Sequence, residues 1–188
     1  MRLRQWIGGF TIVEMMIVVI VIGILATIGV VSYGEMQRTA LNTARLKELK
    51  NWSELFELYK NKYGQYPGYG ETDGGACLGT GFPTGSDGAQ RCREKDPNPG
   101  YSYSEADAAA LMDKFTAFTE IPVSEKRPAG AERKFVGPWA EFRYNEWRDF
   151  TINTAIDSTD PADCTRAGFV GTWTSPDGST TCALVIPY

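Results

Sequence analysis

Residues 8–34 read "GGFTIVEMMIVVIVIGILATIGVVSYG", and the rest of the chain follows from how this stretch is understood. From Met15 to Val31 no residue is charged and only Thr27 is polar. Counted back to Phe10 the run has 22 residues. As a helix it reaches about 33 Å, enough to cross the hydrocarbon core of a bilayer. One carboxylate, Glu14, stands just inside the leading edge, where an unpaired charge is costly. Arg2 and Arg4 precede the run, so the positive-inside rule keeps them cytoplasmic and sends everything after Gly34 across the membrane. A cleaved secretory signal is the competing reading, with Ser32-Tyr33-Gly34 as the cleavage region. The uncharged run is longer than a usual h-region and has a glutamate inside its front boundary, which argues against it.

Downstream, the helical pattern continues. Met36, Ala40, Ala44, Leu49, Trp52, Phe56, Tyr59 and Tyr63 recur at spacings of three to five. Arg38, Arg45, Lys47, Lys50, Glu54, Glu57 and Lys60 fall largely elsewhere, which predicts an amphipathic face. No proline or glycine interrupts Glu35 to Tyr63, and "YGQYPGYG" then stops the helix. The expectation is one helix from Phe10 to Lys62, 53 residues and about 80 Å. Its first half suits lipid or sister helices and its second half a globular head. Gly23 and Gly29 are its weak points by propensity, and small residues there also permit close helix packing.

The chain has 188 residues, 43% hydrophobic and 22% charged, material for one modest domain plus an anchor. With 19 basic and 23 acidic residues there is no basic field to favour nucleic acid. Cys77, Cys92, Cys164 and Cys182 all lie beyond the apolar run, as two disulfides of an exported domain would. Pairing Cys77 with Cys92 and Cys164 with Cys182 closes the shortest loops, although four cysteines permit three arrangements. The chain has no histidine, so the usual general base and the catalytic triads are absent. No cofactor-binding glycine motif is present either, and the chain does not read as an enzyme.

In the head, residues 64–100 are rich in glycine and proline and read as an irregular loop stapled by a disulfide. "SEADAAALMDKFTAF" predicts a short helix with Ser104 at its N-cap, Asp107 three residues on, and Leu111, Phe115 and Phe118 on one face. "AEFRYNEWRDFTINTAI" alternates like two strands, placing Phe142, Tyr144, Phe150 and Ile152 on one face around a turn near Asn145 and Glu146. The final residues read as a hairpin about Pro176-Asp177-Gly178. The predicted class is α+β, a long helix against a small antiparallel sheet. The acidic loop "DSTDPADC" offers Asp157, Asp160 and Asp163 as calcium ligands. Its spacing is not that of an EF-hand, and a solvated turn accounts for the same residues.

The stretch "GGFTIVEMMIVVIVIGILATIG" resembles the N-terminal signature of type IV pilins and their relatives: a short basic leader ending in Gly9, then Phe10 to Glu14, then the apolar helix. The resemblance covers about a third of the chain when the amphipathic continuation is counted. It implies a cleaved leader over residues 1–9, a transmembrane or filament-core helix over 10–34, its amphipathic continuation over 35–63 and a disulfide-bonded periplasmic or extracellular head over 64–188. It also implies that a prepilin peptidase cuts between Gly9 and Phe10 and methylates the new amine of Phe10. Glu14 of one subunit would then neutralise the Phe10 amine of its neighbour, since buried charges persist when paired. The helix-start alternative leaves Glu14 favoured by the helix dipole alone.

Implied partners are sister subunits, the peptidase, an assembly platform and its ATPase, with a single membrane pass as precursor and an extracellular filament as product. Many relatives carry a proline near the end of the membrane run, where this chain has "IGVVSYG". Within the resemblance, a pilus subunit for adhesion, motility or DNA uptake stands beside a type II secretion pseudopilin. "YKNKYGQYP" resembles a stretch found in both. From another class, a membrane-tethered binding domain fits the same anchor, and an exported enzyme would require a catalytic group that the residues do not supply.

Overall fold

A computed structural model describes residues 9, 11–68, 74–85, 87–93, 102–123, 137–142, 149–174 and 178–187. The chain divides into two compact units, Met1–Leu41 and Asn42–Tyr188. The class is α+β, with a long N-terminal helix, α1 (Ile12–Tyr63), and a small antiparallel sheet.

In the first unit α1 is long and apolar enough to cross a membrane. Its apolar side chains lie open: Ile12 is 81% exposed, and Ile17, Leu25 and Ile28 are more than half exposed. The one polar residue of the run, Thr27, donates its hydroxyl to the Ile24 carbonyl at 2.7 Å. That satisfies the group within its own helix, as an apolar surrounding demands.

The second unit is built on a five-stranded sheet in the order β1 (Gly74–Cys77), β4 (Trp139–Phe142), β5 (Asp149–Ile156), β7 (Thr180–Pro187) and β6 (Val170–Thr174). Every neighbouring pair is antiparallel. A second ribbon pairs β2 (Arg91–Arg93) with β3 (Tyr103–Ser104), and two short helices are α2 (Ala109–Phe115) and α3 (Ala162–Arg166). In β5 the alternation puts Phe150 and Ile152 into the core, and register sets Phe142 opposite Phe150 and Phe150 opposite Ile186. The Phe142 and Phe150 rings stack at 5.3 Å, a cross-strand aromatic pair that helps fix this register. Against them lies the part of α1 that bears Leu49, Trp52 and Phe56, all at 1% exposure or less. The Phe56 ring meets Phe150 at 4.9 Å and Phe115 of α2 at 5.0 Å. The helix stops where Gly64 takes a φ of +80° and its N–H donates to the Lys60 carbonyl, a glycine-terminated C-cap.

Several expectations change. Residues 64–100 do not all form an irregular loop: β1 joins the main sheet, and Ala76, Cys77, Leu78, Phe82 and Cys92 are buried. Gly75 is what lets this strand fit, because a Cβ there would lie 2.0 Å from the Tyr103 ring. The buried stripe of α1 is also shifted. Met36 is 69% exposed and Ala40 and Ala44 are exposed, whereas Arg45, expected on the polar face, is buried at 7%. Arg45 reaches the Asn42 carboxamide at 3.4 Å, so a polar contact accompanies the charge into the interior. The short helix is α2, whose N-cap is Ala108 without a side-chain cap bond; Ser104, expected at that cap, ends β3 instead, and its hydroxyl accepts the Asp107 N–H at 3.2 Å in the turn that leads to the helix. Tyr144, Asn145, Glu146, Pro176 and Asp177 lie outside the described residues.

Candidate functional site

Glu14 occupies the first turn of α1. Its Oε2 accepts the Thr11 backbone N–H at 2.8 Å and the Thr11 hydroxyl at 2.7 Å, while the Glu14 N–H donates to Thr11 Oγ1 at 3.3 Å. The Thr11 carbonyl accepts the Met15 N–H, the first helical bond. Thr11 and Glu14 therefore form a reciprocal capping box, each side chain satisfying a backbone donor that the helix start leaves orphaned. Sequence reading placed Glu14 at the helix start but missed Thr11 as its partner; the T-x-x-E spacing was the available signal.

Both groups are exposed, and among the described residues Glu14 has no cationic partner. Its neighbours Val13, Met15, Met16, Ile17 and Val18 are all half exposed or more. Among the described residues the carboxylate is thus the one charge on a helix end whose other side chains, Thr11 apart, are apolar, and the bonds to Thr11 both use Oε2. Such a group can accept a proton or a cation supplied by another molecule. Gly9 is exposed, and a Cβ added there meets nothing within 4 Å among the described residues. Phe10, the other residue of the expected cleavage and assembly site, lies outside the described residues.

In the head, disulfides join Cys77 to Cys92 and Cys164 to Cys182, and all four residues are fully buried. The first ties β1 to β2 and the second ties α3 to β7. The acidic loop is organised by protein groups. Arg166 bridges Asp160 at 2.9 Å and Asp163 at 3.0 Å, and the Ser158 hydroxyl donates to Asp163. Asp157 serves instead through its backbone. Among the described residues no group of three carboxylate, cysteine or histidine side chains is arranged to hold a metal. The Arg166 guanidinium thus pairs with two of the three carboxylates offered as calcium ligands, Asp160 and Asp163.

Comparison with protein-family models, with curated proteins and with solved structures returned no match for this chain.

Proposed function

We propose that this chain is a type IV pilin-like structural subunit, made as a single-pass inner-membrane precursor and polymerised into an extracellular filament after a prepilin peptidase removes residues 1–9. The carrying observation is the Glu14 carboxylate, without a cationic partner among the described residues, on the exposed apolar end of α1. Cleavage after Gly9 would create a charged amine at Phe10, one turn from Glu14. In a bundle of such helices the carboxylate of one subunit would meet the amine of the next and fix their axial register, a use of buried polar groups with good precedent. The heads, stapled by their disulfides, would form the outer surface. Surface adhesion, motility and DNA uptake are the roles open to such a filament, and type II secretion is the role of the pseudopilin alternative.

A second reading is favoured by the Thr11–Glu14 capping box, which gives the carboxylate a local purpose. In it the helix is a tether and the head a monomeric binding domain outside the cytoplasm. Intact mass and N-terminal sequencing of the protein recovered from its native cells separate the two. A chain starting at Phe10, with or without a methyl group, supports the filament subunit. A chain retaining Met1 makes the tether the better account, and one starting at Glu35 is a secreted domain and ends both.

A further inference from the structure

We propose that a groove beside α2 binds a lysine side chain presented by a partner polypeptide. The groove has a volume of about 460 Å³ and is lined by Thr80, Gln90, Glu105, Met112, Asp113 and Ile121 among others. Its walls are tied together. Glu105 Oε2 accepts the Gly81 N–H at 3.0 Å and the Phe82 N–H at 3.4 Å. The Glu105 N–H donates to the Gln90 carbonyl at 2.9 Å, and the Thr80 N–H donates to the Pro122 carbonyl at 3.1 Å. The site is therefore formed before any ligand arrives, which spares binding the entropy of ordering loops.

Charge and shape select the occupant. Among the described residues no basic residue lines the groove, and neither Glu105 nor Asp113 has an ion-pair partner. An anion is repelled, and a wholly apolar ligand would strip water from the carboxylates and return nothing. The floor is apolar: Met112 is 5% exposed, its sulfur held by the Gly79 N–H, with Ala109 and Ile121 beside it. An aliphatic stem suits that floor and a terminal cation suits the carboxylates. One Glu105 oxygen is already committed to two backbone amides, which weakens the case for a bidentate guanidinium and favours the compact ammonium of lysine. The groove is larger than one such side chain, and Thr80, Gln90 and Thr116 along it can bond the backbone that carries the lysine. This inference does not depend on the filament reading.

The test uses the full chain in detergent micelles, labelled with 13C at its methionine methyls, with Met112 assigned through Met112→Leu. The probes are the peptide acetyl-Gly-Lys-Gly-amide and its norleucine counterpart, which has a similar stem and no charge. The lysine peptide is expected to shift the Met112 methyl saturably, the norleucine peptide is not, and Asp113→Asn weakens the lysine peptide by about threefold to tenfold. Asp113 is exposed, so this variant keeps the fold, which an unchanged near-UV spectrum verifies. Equal response to both peptides, no shift at millimolar lysine peptide, or undiminished binding to Asp113→Asn overturns the proposal.

Discussion

The side chain of Asn42 pairs with the backbone of Asp157 as a neighbouring strand would: Nδ2 donates to the Asp157 carbonyl at 2.9 Å and Oδ1 accepts the Asp157 N–H at 2.8 Å. Asn42 is the first residue of the head unit, and Asp157 directly follows β5. One carboxamide thus pairs with both backbone polar groups of a residue that lies just past the strand. It also fastens α1 to the end of the strand that its aromatic residues cover.

Replacing Asn42 by Ala leaves both groups of Asp157 without this partner. We expect a loss of about 1–3 kcal/mol in head stability, read as a lower denaturant midpoint by near-UV circular dichroism. Asn42→Asp keeps an acceptor and loses the donor, so its loss should be of similar size. If both variants unfold within a few tenths of a kcal/mol of the parent, the clasp has no energetic role.

At the start of α1 the capping and charge roles of Glu14 can be separated. Glutamine retains the capping geometry but not the charge, so under the proposed filament reading Glu14→Gln should leave the precursor abundant in the membrane and abolish filaments. Thr11→Ala removes the cap at a cost of about 1 kcal/mol and keeps the charge, so filaments should persist. Electron-microscope counts on cells carrying each variant decide it. Normal filament numbers with Glu14→Gln would leave the cap as the residue's whole function.

Phe56 joins helix and sheet, with rings of Phe115 and Phe150 within 5.0 Å of its own. Phe56→Ala should cost about 3–5 kcal/mol. Leu58, two residues on and 51% exposed, should cost less than about 0.5 kcal/mol when cut to Ala. Chemical denaturation of both variants measures the contrast, and equal losses would contradict this core.

Tyr66 is buried at 3% exposure and donates its hydroxyl to Glu57, with Lys60 4.3 Å above its ring. Burial is the main cause that raises its pKa, followed by the hydrogen bond to Glu57 and that carboxylate's charge. In the unfolded chain a tyrosine titrates near about 10. With the folded value higher, the contribution is fully present below pH about 10 and is lost as pH rises above it, by about 1.4 kcal/mol per pH unit. Tyr66→Phe should flatten this alkaline slope and remove one late-titrating phenol from the absorbance titration. An unchanged slope would mean that other groups set the alkaline limit.

Each disulfide closes a short loop, with sequence separations of 15 and 18, which corresponds to roughly 3 kcal/mol apiece in the loop-entropy account. Cys164→Ser combined with Cys182→Ser should therefore lower the melting temperature of the head by several degrees or more in a thermal scan. A melting temperature equal to the parent's would show that this crosslink adds nothing.

Local features carried much of the fold in the sequence itself. An unbroken apolar run, an amphipathic continuation and a terminal glycine define α1 through contacts within one or two turns. The alternation around Phe142, Phe150 and Ile152 defines a sheet face through a period of two. The T-x-x-E box at Thr11 and Glu14 is equally local and was legible in principle. What the tertiary structure alone decided depends on residues far apart in the chain. Gly75 belongs to a strand because the Tyr103 ring occupies the space above it. Arg45 is buried although its charge suggests solvent, and Asn42 finds the Asp157 backbone 115 residues away. Periodicity records which face of an element is apolar, but the partner that satisfies a polar group across the fold is fixed only when the chain closes on itself.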